Sequence, residues 1–302
     1  MARRTLPRTP RAIYNAVMTV LSFEIFTVLV PQLFGAVFTL WHPGASMQNP
    51  LGVPRALYYL AVLLYTALPL GLAVFTASRF GRRSRPAPRE GLPLQKSVPL
   101  LLPTFMAVTV LASLGFGLFL QKENTMMPLP ARGAGLLVSF VCLCLISPIG
   151  EEILFRGTVQ PMLQGCGPWT AILGQAVLFG AAHSFGAPML TAFVSGAVLG
   201  LVYTLTGDLR LGMILHSVNN TIGFLENYAY QYGDERLVST VIFLLDALFL
   251  VWAAGAVLHM KRTGWKNRLY PVNLSTGHGQ LIRSPIFLAA VGCMILAKAV
   301  GV

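Results

Sequence analysis

Charge is the scarcest resource in this sequence. Only 11% of its 302 residues are Asp, Glu, Lys or Arg, whereas 55% are hydrophobic, and the mean hydropathy is +0.68. A water-soluble domain carries about 25% charged residues, so an ordinary soluble globule and a disordered chain are excluded, and so is a collagen-like repeat. Acid is scarcer than base: ten Asp plus Glu stand against 22 Lys plus Arg, a net charge of +12. In a soluble protein that balance points to nucleic acid. In an apolar chain it reads as basic cytoplasmic loops of a polytopic membrane protein, with no nucleic-acid partner. The four cysteines include no CxxC pair, which excludes a disulfide scaffold and a thiolate zinc site. HExxH, a GxGD aspartate, a GxSG serine elbow and a GxxxxGK loop are absent as well. Their absence removes the familiar metallo-, aspartyl and serine intramembrane proteases and an ATP-driven pump.

What is present is a succession of apolar runs long enough to cross hydrocarbon. They centre on windows 12–40, 56–78, 98–120, 134–158, 169–185, 188–206, 210–226, 237–260 and 284–302. The expected fold is all-α, a polytopic transmembrane helical bundle of about eight or nine spans, with the fifth to seventh short enough to be tilted, broken or re-entrant. Arg3, Arg4, Arg8 and Arg11 precede a long apolar stretch without a clear cleavage site, which reads as a retained first span. Basic residues cluster in that N-terminal tail, in the 79–96 loop and in the 261–283 loop, with Arg156 and Arg210 assigned to short connections on the same side. By the positive-inside rule the N-terminus and the basic loops are cytoplasmic in a cell membrane, expected to be bacterial. Three regions are anticipated. Residues 1–130 hold N-terminal transmembrane helices and a basic cytoplasmic linker rich in proline, 131–230 form a catalytic core, and 231–302 are C-terminal transmembrane helices.

Ionisable residues inside apolar segments carry the functional information, because each is costly there. The densest cluster is Ser147-Pro148-Ile149-Gly150-Glu151-Glu152-Ile153-Leu154-Phe155-Arg156. On a helix Glu152 and Arg156 are i,i+4 neighbours in the favourable order, so each neutralises the other. Glu151 points about 100° away and has no local basic partner, which suits a general base. Its place five residues before Arg156 puts it towards the cytoplasmic end of the fourth span, so cleavage is expected near the cytoplasmic surface. His183 ends the apolar stretch Phe179-Gly180-Ala181-Ala182. His216 and Asn220 share a helix face at i,i+4, whereas Asn219 lies off it. A His/Asn pair serves either as interhelical glue or as donors to a developing oxyanion. Together these segments supply a base, a water-positioning group and oxyanion donors, the set a hydrolase working inside a membrane needs. His183, His216 and one Glu also allow a three-ligand zinc site. With no compact ligand pair and an Asn in the set, the preferred reading is metal-free, with zinc the alternative. Cys142, Cys144, Cys166 and Cys293 read as core residues, and Glu24 and Asp246 as partners in buried hydrogen bonds or salt bridges to other helices.

Glu151-Glu152-x-x-x-Arg156, Phe179-x-x-x-His183 and His216-x-x-x-Asn220, in this order, resemble the three motifs of the CAAX protease and bacteriocin-processing family. This family of intramembrane proteases, also called the abortive-infection family, is related to the type II CAAX prenyl endopeptidases. The resemblance covers about residues 134–226. It implies an α-helical intramembrane endopeptidase in which Glu151 activates water that His183 helps to hold. By the same resemblance His216 and Asn220 stabilise the oxyanion, and Glu152 with Arg156 orders the site. The implied partners are membrane lipids and a peptide or protein substrate that is membrane-anchored or lipidated. A second function class stays open beside this one: a non-catalytic immunity factor or scaffold on the same fold, or a proton-linked carrier using Glu24 and Asp246.

Overall fold

Apolar side chains that a soluble bundle would hide lie on the outside of this chain. The computed structural model describes residues 8–44, 52–79, 94–120, 128–264 and 281–300. These form nine helices: α1 (Arg8–Trp41), α2 (Arg55–Arg79), α3 (Leu94–Phe119), α4 (Ala134–Cys166), α5 (Pro168–Ala181), α6 (Ala187–Thr206), α7 (Leu209–Tyr232), α8 (Glu235–Arg262) and α9 (Pro285–Ala299). No strand occurs among the described residues. Leu33, Leu118, Phe243 and Val251 are all exposed, as expected where the surrounding medium is lipid rather than water. The chain is an integral membrane protein with a polytopic helical bundle, in the positions the hydropathy pattern anticipates.

Six helices are long and apolar enough to cross a membrane: α1, α2, α3, α4, α6 and α8. Helix α7 is long enough but carries Arg210, His216, Asn219, Asn220, Glu226 and Asn227. Helices α5 and α9 have 14 and 15 residues, about 21–23 Å at 1.5 Å per residue, short of a hydrocarbon core of about 30 Å. The fourth span runs further than its apolar window. It ends at Cys166, because the polar residues beyond Leu154 find partners inside the bundle. Thr158 Oγ1 donates to the Ile153 carbonyl at 2.9 Å, and Gln160 Nε2 donates to the Gly200 carbonyl at 2.9 Å. Glu151 therefore sits near the middle of α4 rather than near its end. Arg156, assigned from sequence to a cytoplasmic connection, is fully buried within the same helix.

Helix α4 is the hub. It runs parallel to α2, with Leu70 against Gly150, and antiparallel to α1, α5 and α7. The α6–α7 joint is made by Gly207, left-handed at φ 68°, followed by Asp208, whose carboxylate accepts the Arg210 N–H at 3.0 Å as an N-cap. One end of the bundle gathers the start of α1 and the ends of α2, α4, α6 and α8. The opposite end gathers the starts of α2, α4 and α8 and the end of α7.

Helices α5 and α6 meet through small residues, Ala176 and Gly180 against Ala192 and Gly196, the pattern that lets backbones approach in lipid. A Cβ at Gly180 would fall 2.9 Å from the Met189 carbonyl oxygen and 3.0 Å from Phe193 Cβ. Gly180→Ala is expected to cost about 1–3 kcal/mol by overpacking and to lower the melting temperature in detergent. Gly117→Ala, with nothing within 4 Å of the new methyl, should not lower it.

Candidate active site

Two wide π turns, Val141–Ile146 and Phe155–Val159, interrupt α4 on either side of Ser147–Leu154. Each is followed two residues later by a proline, Pro148 and Pro161. Proline lacks the N–H for the helical ladder, and its ring collides with the carbonyl four residues back. Widening the turn shifts the bonding to i−5, and the Ser147 N–H reaches the Cys142 carbonyl. In that register the donor for the Leu143 carbonyl would be Pro148, which has none. Asn220 Nδ2 of α7 takes its place, donating to Leu143 O at 3.0 Å. A proline in α4 thus fixes where an asparagine of α7 docks.

Between the wide turns the charges are arranged in depth. The Glu152 and Arg156 side chains are 0% exposed and 2.7 Å apart. Glu152 Oε1 also accepts from His216 Nδ1 at 3.0 Å, which fixes the proton on that nitrogen. Arg156 Nη2 donates to the Gly196 carbonyl at 3.2 Å, and its guanidinium carbon lies 4.5 Å from the Phe179 ring centre. Gly212 of α7 allows this closeness, since a Cβ there would sit 2.5 Å from Glu152 Oε2.

Glu151 faces the other way. Its side chain is 17% exposed and borders a cavity of about 340 Å³ shared with Leu143, Ser147, Asn219, Asn220 and Asn227. Glu151 Oε2 is 3.8 Å from His216 Nε2, too far for a direct hydrogen bond and close enough for one bridging water. The basic group that Glu151 lacks locally comes from 65 positions further along the chain, on α7.

His183 lies in the turn after α5. Its Nδ1 is 2.7 Å from the Phe179 carbonyl, and a carbonyl only accepts, so Nδ1 carries the proton and Nε2 presents a lone pair. Phe179 packs on the His183 and His216 rings, with centroids at 4.6 and 5.8 Å. Of the six residues expected at the site, Glu152, Arg156 and His216 are joined by direct polar contacts, and Glu151 lies 3.8 Å from His216. Asn220 borders the cavity with Glu151, whereas His183 joins the group through the Phe179 ring and does not line the cavity. Asn219, read from sequence as off the face, lines it with Ser147 and Asn227. The i,i+4,i+8 row of Asn219, Gly223 and Asn227 is the signal that identifies this wall. Glu24 pairs with Lys298 of α9 at 3.0 Å. Asp246 makes no ion pair or side-chain hydrogen bond among the described residues, and Cys293 is exposed rather than in the core. Among the described residues no group of three or more His, Cys, Asp or Glu is arranged to hold a metal ion.

Residues 133–222 match the family described as type II CAAX prenyl endopeptidase Rce1-like. An uncharacterized 24.3 kDa protein of Escherichia coli is 31% identical over 169 residues, covering 53% of this chain and 77% of that protein. The chain belongs to the Rce1-like family. No solved structure matches it. Membership of the Rce1-like family implies a membrane-embedded peptidase with a peptide or protein substrate.

The two asparagines of this Rce1-like site separate by stability. Asn220→Ala orphans the Leu143 carbonyl and should cost about 1–3 kcal/mol, read as a lower melting temperature in detergent. Asn219→Ala, facing the cavity, should leave the melting temperature unchanged.

Proposed function

We propose that this protein is an intramembrane endopeptidase that hydrolyses a peptide bond of a membrane-anchored or lipidated substrate, with Glu151 as the base that activates water. The observation that carries this reading is the contrast between adjacent glutamates. Glu152 is fully buried and committed to Arg156 and His216. Glu151 opens to a cavity able to admit water and a peptide segment.

In this reading a water between Glu151 Oε2 and His216 Nε2 gives a proton to Glu151 as its oxygen attacks the scissile carbonyl. Glu151 then returns the proton to the leaving amine. The second Nδ2 hydrogen of Asn220, together with the Asn219 amide, faces the developing oxyanion. His216 Nε2 donates to it only when both ring nitrogens carry protons. His183, with its Nε2 lone pair, acts from the far side of Phe179, and Glu152 with Arg156 holds His216. This reaction needs no metal, and Glu152 Oε1 is already taken by Arg156 and His216. An apolar cavity of about 440 Å³ between α2 and α4, bordered by Leu70, Val74, Ile149 and Ile153, supports an apolar anchor beside the scissile segment.

The test compares new protein N-termini in membranes carrying the wild type or Glu151→Gln. Cleavage products present with the wild type should vanish with Glu151→Gln while the variant stays folded in the membrane. Products that persist would leave the non-catalytic immunity or scaffold role.

A further inference from the structure

Ser147 lines the Glu151 cavity together with Asn219 and Asn220, yet a glutamate-activated water alone gives its hydroxyl no task. It precedes Glu151 by four residues, so the two share one face of α4. A common outlet for a helical hydroxyl is the carbonyl four residues back. Thr66, Thr104 and Thr221 use it, at 2.8, 2.9 and 2.8 Å. For Ser147 that carbonyl belongs to Leu143, which already accepts from Asn220 Nδ2 at 3.0 Å. The wide turn before Pro148 also moves the Ser147 N–H onto the Cys142 carbonyl. The Ser147 hydroxyl makes no hydrogen bond among the described residues, and it is not sealed away from the cavity.

Helix α7 runs antiparallel to α4, which sets the cavity wall in levels. His216 Nε2 is 3.8 Å from Glu151 Oε2, and one turn further along α7 Asn220 stands at Leu143. Ser147 falls between Leu143 and Glu151 on the α4 face, one turn or about 5.4 Å from the base. Its hydroxyl and the amides of Asn219 and Asn220 form a stretch of wall rich in donors, beside the place where Glu151 meets water.

We propose that Ser147 is a further catalytic residue: its hydroxyl donates to the scissile carbonyl oxygen as that oxygen gains negative charge. This role rests on the peptidase reading of Glu151. Water attacks the carbonyl carbon, its proton passes to Glu151, and the carbonyl π pair moves onto the oxygen, where Ser147 and the Asn220 amide stabilise it. When the pair returns, the C–N bond breaks and Glu151 gives its proton to the leaving amine. Ser147 keeps its own proton throughout and forms no covalent bond. A donor already aimed at the developing charge stabilises it more than water does, because nothing has to reorganise as the charge forms. Glu151 is placed for a water beside His216 rather than for the proton of a serine, which separates this role from that of a nucleophile.

The experiment follows wild type, Ser147→Ala, Ser147→Thr and Glu151→Gln in membranes, by the rate at which new protein N-termini appear and by the melting temperature in detergent. Ser147→Ala should slow cleavage about a hundredfold at an unchanged melting temperature, because the hydroxyl holds no other group of the protein. Ser147→Thr keeps a hydroxyl and should return most of the rate. A wild-type rate for Ser147→Ala overturns the inference. So does a loss matched by a lower melting temperature, or one that Ser147→Thr fails to return. Covalent attachment of a fluorophosphonate to the wild type and not to Ser147→Ala also overturns it, because that marks a nucleophile. Lost cleavage in Glu151→Gln with a wild-type rate in Ser147→Ala sinks the role of Ser147 alone. Cleavage that persists in Glu151→Gln sinks the peptidase reading and the role of Ser147 with it.

Discussion

A single buried ion pair organises this protein. Glu152 and Arg156 lie 2.7 Å apart with no exposed surface, in a part of the bundle where an isolated charge would be prohibitive. Three neighbouring helices contribute contacts to them, although Glu152 Oε2 and Arg156 Nε stay buried without a hydrogen-bond partner among the described residues. His216 donates to Glu152, the Gly196 carbonyl accepts from Arg156, Phe179 lies against the guanidinium, and Gly212 makes room for the carboxylate. Four helices, α4 to α7, are thereby tied at one point. The pair also frees its neighbour: with Glu152 absorbing the arginine, Glu151 can face the cavity.

Lipid explains much of the remaining architecture. With apolar surroundings on the outside, the apolar contrast that drives soluble helices together is weak. The interior instead uses close backbone approach and polar side chains on exposed carbonyls. Gln175 and Arg156 both donate to the Gly196 carbonyl, Gln160 donates to Gly200, and Asn220 donates to Leu143. The short α5 brings Phe179 against the His183 and His216 rings, so the site lies inside the bundle.

Much of this was legible in the sequence. Hydropathy located the nine helices, and the spacing of Glu151, Glu152 and Arg156 anticipated both the i,i+4 pair and the divergent glutamate. What escaped depends on contacts far apart in the chain. The fourth helix outruns its apolar window because Thr158 and Gln160 find carbonyls on other turns and other helices. The π turns follow from Pro148 and Pro161, but a proline in an apolar run announces a disturbance without saying that the helix will widen rather than kink. Asn219 was set aside by a strict i,i+4 reading, although it is only about 60° from His216 around the helix. Arg156, counted as a loop charge, was misplaced because charge alone does not reveal a partner that permits burial.

The most direct test of the account is a double-mutant cycle on unfolding free energy in detergent, using Glu152→Gln, Arg156→Met and the double variant. Each single change strands a buried charge and should cost about 3–5 kcal/mol. The double variant strands neither, so the account predicts a coupling of about 2–3 kcal/mol between the two positions. Losses that simply add, with the double variant as unstable as the sum of the singles, would contradict the claim that this pair holds the site together.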